Sequence, residues 1–201
     1  LLTDLRYLHL SRLYRKIDAH VFISEHSRKC FGLMRSQDSC GEFIELRQTL
    51  MFGKFLPKLL YRDSYIWYNG VDTSIFTPSS KPKTNSHVIG CVGNFNPGKS
   101  QIDLVHAFVG IKEYFPDARL RFVGSGKMLH KCKDCAIELG VDDSIEFIKE
   151  VPHHQLADYY RALDLFVMPS VNEGFCCVNV EANACGVPVI ACEGLPFEEL
   201  L

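Results

Sequence analysis

The sequence predicts an α/β protein with a parallel sheet and helices on both faces, on three observations. From His87 onward, short apolar runs alternate with stretches of helical length, the pattern of strands joined by crossover helices. The unit Pro169–Cys192 repeats that logic in miniature: an apolar run, Leu165–Met168, feeds a polar turn, a helix-like stretch closes at Gly186, and Val187–Cys192 reads as a buried strand. Composition is that of an ordinary globular chain, with 201 residues, 47% hydrophobic and 23% charged, enough for one large domain or two small ones.

Taken in order, Leu1–Ile17 reads as an amphipathic helix with Arg6, Arg12, Arg15 and Lys16 on its polar side. His20–Ser24 is a short strand, and a helix is expected from Glu25. Cys30–Leu46 has no clear pattern. In Arg47–Arg62 the cations Lys54, Lys58 and Arg62 recur at four-residue spacing beside Met51, Phe55 and Leu59. Such a segment packs on its own domain or lies on an anionic membrane surface, and Pro57 would kink a helix there. Ser64–Tyr68 is a strand turned by Asn69-Gly70, and Pro78–Ser86 is rich in breakers and reads as an interdomain linker. The expected division is therefore 1–81 and 82–201.

The second part is regular. Strands are expected at 87–93, 119–124, 144–149, 164–169 and 187–192, with helices at 99–115, 127–139, 153–162 and 174–185. In an open sheet of this kind ligands sit beyond the carboxyl ends of strands, where Ser170–Phe175 falls.

Net charge is −2, with no basic excess of the kind nucleic-acid binding needs. No apolar run approaches the length of a membrane span. The chain starts without Met, ends in Leu200-Leu201, and reads as a fragment of something longer. Nine cysteines, an odd number in a chain too large for a disulfide miniature, favour a reducing compartment and hence a cytoplasmic protein. Cys91, Cys185 and Cys192 sit in apolar patterns as buried free thiols do. Cys132-x-x-Cys135 near His130 has no second ligand pair and sits in an expected helix, so a structural role outweighs zinc. His153-His154 is read as a helix start, not as a metal or acid–base pair.

Two acids stand out, Glu173 and Glu181. On one helix they would share a face about 12 Å apart along the axis, wider than the roughly 5–9.5 Å of a glycosidase acid pair. Carboxylates accept hydrogen bonds and so suit sugar diols. Taken alone, the pair reads equally well as a helix-capping acid and a surface acid.

Gly93–Ser100 (GNFNPGKS) fits G-x-x-x-x-G-K-[ST] after a strand and before a helix, the pattern of a phosphate-cradling P-loop. A P-loop enzyme also needs an apolar strand ending in a Mg²⁺-holding Asp. The strands here end in Gly124, Lys149 and Pro169, and Asp164 comes at a strand's beginning. Lys99 nevertheless places a cation beside a helix amino terminus, where unpaired N–H groups favour anions.

Pro169-Ser170, then Glu173-Gly174-Phe175, then Glu181-Ala182 and Ala184-Cys185-Gly186-x-Pro188-Val189-Ile190-Ala191 together resemble the donor-site signature of the GT4-type retaining glycosyltransferases (glycosyl transferases group 1). Tyr68–Asp72, Phe122–Gly126 and Leu156–Ser170 are similar to further landmarks of that family, so the resemblance runs from about Asp18 to the end. It implies a GT-B fold: the tail of one Rossmann-like domain followed by a carboxy-terminal domain that binds a nucleotide sugar. By that resemblance Glu181 would hold the ribose hydroxyls and Glu173 the donor sugar. Gly174, Phe175, Cys176 and Cys177 would offer backbone N–H groups. Gly93, Asn94 and Gly124 would line the donor site, and Val151 would lie against the base. Lys99 would stabilise charge on the departing diphosphate.

The resemblance further implies transfer with retention, without metal or cofactor, from a UDP- or GDP-linked sugar to a glycan, lipid or small-molecule acceptor. A cytoplasmic enzyme touching the inner membrane face through 47–62 fits that picture. Two departures stand out: Asn94 replaces the family's arginine, and Cys176 its usual glycine, where a side chain is expected to narrow the donor pocket. The first keeps a catalytically silent nucleotide-sugar-binding subunit in play, and the P-loop pattern keeps a phosphotransferase.

Overall fold

The computed structural model describes residues 20–22, 64–80, 87–171 and 173–193. The expected helices at Leu1–Ile17 and from Glu25, the stretch Cys30–Leu46, the basic segment Arg47–Arg62 and most of the linker lie outside them. The chain divides into two compact units, Leu1–Asn69 and Gly70–Leu201. In the first, β1 (His20–Phe22) pairs in parallel with β2 (Ser64–Ile66), in register His20 to Ser64.

The second unit starts before the expected linker because Gly70–Ser80 carries its own anchor. Phe76 is 1% exposed within a core cluster that includes Tyr160 and Phe166. Arg161 fixes the same segment by donating to the carbonyls of Ile75 (2.7 Å) and Thr77 (2.8 Å).

From Val88 onward strand and helix alternate as the pattern requires. The elements are β3 (Val88–Val92), α1 (Gln101–Tyr114), β4 (Arg119–Val123), α2 (Leu129–Glu138), β5 (Ile145–Ile148), α3 (Leu156–Arg161), β6 (Leu165–Met168), α4 (Cys177–Ala184) and β7 (Val189–Ala191). The five strands form one sheet in the order β5-β4-β3-β6-β7, and every pairing is parallel. Chain order thus runs outward from β3 to one edge and then restarts beside it at β6. The reversal lies at the carboxyl ends of β3 and β6, the usual ligand position in such sheets.

Alternation along each strand sorts side chains between two cores. Ile89, Cys91, Leu120 and Phe122 face Leu104, Val105, Phe108 and Ala136 of α1 and α2. Val92, Val123, Phe166 and Met168 face Leu156, Tyr160 and Ala182 of α3 and α4. Burying a side chain the size of Phe166 contributes about 1.5–3 kcal/mol. Gly90 is needed where the end of α3 crosses the sheet: a Cβ there would lie 2.2 Å from Leu163 Cδ1.

All four helices start two or three residues later than the pattern predicts, and for α1 and α4 the reason is the same. The prediction begins α1 at 99, but Pro97–Lys99 is a single 3-10 turn and Ser100 is left-handed at φ 49°. It begins α4 at 174, but Cys176 is left-handed at φ 63°. A left-handed residue cannot continue a right-handed helix. Glu173 is therefore on the preceding loop, and the shared helix face expected for Glu173 and Glu181 does not exist.

Candidate functional site

The loops after β3 and β6 are tied to each other at the sheet's reversal point. Ser170 Oγ and the Val171 N–H both donate to the Gly98 carbonyl at 3.0 Å. This closes the Pro97–Lys99 turn against the end of β6 and brings Lys99 Nζ into an ion pair with Glu173 Oε1. The pair is largely shielded, with side chains 22% and 11% exposed. Two opposite charges held by separate loops compensate each other.

The Gly93–Ser100 loop is rigid from beneath. Phe95 is 1% exposed and packs on Phe122 and Phe147. The N–H groups of Gly93 and Phe95 donate to the carbonyls of Val123 (2.9 Å) and Ser125 (2.8 Å). Gly124 is where the two loops cross: a Cβ on it would lie 2.2 Å from the Gly93 carbonyl oxygen. Its missing side chain admits neighbouring backbone, where sequence reasoning expected a ligand. Gln101, 2% exposed, donates through Nε2 to the Asn94 carbonyl at 3.1 Å, while its Oε1 has no protein partner among the described residues. Lys99 precedes α1 instead of opening it, and the Lys99 and Ser100 N–H groups already donate within the turn. The turn is therefore not a loop of open amides.

The second acid sits differently. Glu181, on α4, is 6% exposed. Its Oε2 accepts the Tyr160 hydroxyl at 2.8 Å and its Oε1 faces His153 Nε2 at 2.8 Å. Burial, reinforced by Glu181, pushes the Tyr160 hydroxyl well above the usual phenol range, so it stays a donor. His153 sits in a 3-10 turn (His153–Gln155) just before α3, and its ring lies 5.1 Å from that of Phe76. Neither residue was foreseen as a partner of Glu181. The only available signal was the placement of 149–153 after β5, at the same carboxyl end of the parallel strands as Lys99 and Glu173.

Cys176 is 8% exposed and belongs to the core with Met168 and Ala182. Burial pushes its thiol up to about 12, with Glu173 adding to the rise and Lys99 opposing it. Phe175 is likewise buried at 3% and Cys177 is exposed. Val151 is half-buried against the same core. Cys192 is half-buried where burial was expected. Cys132 and Cys135 face the α1–α2 core, Cys135 Sγ lying 3.5 Å from His106 Nε2, and burial holds both thiols protonated. No group of three or more His, Cys, Asp or Glu residues is placed to hold a metal among the described residues.

Residues 72–201 match the family described as glycosyl transferases group 1. The chain belongs to that family. Among curated relatives, the D-inositol 3-phosphate glycosyltransferase of Mycobacteroides abscessus is 36% identical over 146 residues, covering 65% of this chain and 32% of the relative. A GDP-mannose-dependent alpha-(1-6)-phosphatidylinositol monomannoside mannosyltransferase of Mycolicibacterium smegmatis is 31% identical over 138 residues, covering 61% and 36%. The chain thus spans about a third of these relatives' length. Among solved structures, the carboxy-terminal domain of a group 1 glycosyl transferase (LpcC) from Francisella tularensis aligns with a TM-score of 0.59 at 25% identity, covering 66% of this chain and 75% of that one. Anabaena Alr3699/HepE, solved with UDP and glucose, aligns at 0.74 and 21% identity over 99% of this chain and 50% of that one. The fold is the GT-B type, and membership in a glycosyltransferase family removes the P-loop phosphotransferase reading.

Proposed function

We propose that this chain carries the donor side of an enzyme that moves a sugar from a UDP- or GDP-linked donor to a glycan, lipid or small-molecule acceptor. In this reading transfer keeps the anomeric configuration and needs no metal. The observation that carries it is the Lys99–Glu173 pair at the reversal between β3 and β6. A cation fixed there stabilises negative charge growing on a departing diphosphate, and a preset charge needs little reorganisation as the bond breaks. Glu173, released from Lys99 when the diphosphate arrives, is then free to accept hydroxyls of the donor sugar. Glu181 accepts the ribose hydroxyls at the other end, with Val151 beside the base. A relative named for GDP-mannose use, and a fold neighbour solved with UDP, support a nucleoside diphosphate without choosing the base. The acceptor, and contact of segment 47–62 with an anionic inner membrane face in a cytoplasmic enzyme, belong to the same proposal.

Asn94 motivates a second reading, a subunit that binds the donor without turning it over, because one cation fewer faces the leaving group. Titration calorimetry with UDP- and GDP-sugars tests what the two share. One donor should give measurable heat, and Glu181→Ala should remove it. Undiminished heat in that variant would reject the ribose assignment.

A further inference from the structure

Glu181 is held from two unlike sides. Tyr160, fully buried among Phe76, Tyr159 and Phe166, grips Oε2 from within. His153, whose side chain is 66% exposed, grips Oε1 from the rim and rests against Phe76. A glutamate's terminal torsion is otherwise broad, so these two contacts define the plane of the carboxylate. Each carboxylate oxygen has about two acceptor sites. With one taken on each oxygen, one acceptor remains on each, side by side on a single planar group. Two adjacent acceptors match the two hydroxyls of a vicinal diol. Setting that plane in advance spares the ligand the cost of ordering it.

We propose that His153 and Tyr160 are positioning residues that clamp the Glu181 carboxylate so that its remaining acceptors receive a cis-diol, selecting ribonucleotide over dideoxyribonucleotide donors. The inference rests on the donor-site reading above and adds the residues that give it selectivity. His153 is the better probe, since its exposed side chain can be altered without emptying the core, whereas Tyr160→Phe acts on a core residue.

The test titrates the whole chain with UDP and GDP and with the matching 2′,3′-dideoxynucleoside diphosphates. For whichever base binds tighter, His153→Ala should weaken the ribonucleotide about 3- to 10-fold, the scale of one lost hydrogen bond. The dideoxy analogue should bind unchanged. His153→Gln, which keeps an N–H donor, should recover most of the loss. Equal loss for both ligands, or tighter binding in His153→Ala, would overturn the clamp. Glu181→Gln separates the two levels. If it discriminates between the sugars and His153→Ala does not, the clamp alone fails. If it does not discriminate, or neither diphosphate binds, the donor-site reading fails and the clamp with it.

Discussion

The two ends of the candidate site are built by opposite means. At one end, Lys99 and Glu173 come from two loops, one after β3 and one after β6, and compensate each other's charge. At the other, Glu181 stands on a helix, buried, and is held by a phenol from the core and an imidazole at the rim. The first arrangement is an ion pair between two loops, and in the proposed function its partners exchange each other for a ligand. The second is a scaffolded acceptor, and in the proposed function it need not move to receive one. A molecule with a diphosphate at one position and a diol at another would meet a yielding contact and a fixed contact in turn.

The difference can be broken first at the loops. Gly124→Ala would drive a Cβ into the Gly93 carbonyl at φ +145°, combining backbone strain with overpacking, for a loss of about 3 kcal/mol or more. Urea unfolding should show that loss, and Lys99-dependent diphosphate binding should fall with it. Unchanged stability would mean the loop crossing is not rigid. A smaller effect is expected at the start of α4. Because Cys176 is left-handed at φ 63°, Cys176→Gly should be more stable than Cys176→Ala by about 1 kcal/mol, the reverse of the order in an ordinary helix. Equal midpoints for the two variants would remove the strain from the account.

Much of this was legible in the residues, and what was not has definite physical causes. All five strands of the main sheet fall within their expected ranges, because apolar runs bounded by Gly and Pro leave little choice. The starts of α1 and α4 fall later than the pattern predicts because Ser100 and Cys176 adopt positive φ, and neither residue type announces it. Lys99 stood out beside Gly98 in a P-loop-like run, whereas the roles of Glu173 and Glu181 came from the family resemblance, since alone they read equally well as a capping acid and a surface acid. The grip of His153 and Tyr160 on Glu181 was not visible, since it joins positions 28 and 21 residues apart through the packing of α3 against α4, which no local pattern encodes. Gly124 shows the same limit: its glycine was noticed, but what fills the space beside it is backbone from another loop.

The most direct test of the central claim, that two unlike ends hold one activated sugar, is a calorimetric comparison of nucleoside with nucleoside diphosphate on Lys99→Ala and Glu181→Ala. Lys99→Ala should weaken the diphosphate about 10- to 100-fold, the scale of a charge-assisted contact, and leave uridine or guanosine binding as it was. Glu181→Ala should weaken both ligands alike. Loss of nucleoside binding in Lys99→Ala, or full diphosphate affinity in either variant, would contradict the account.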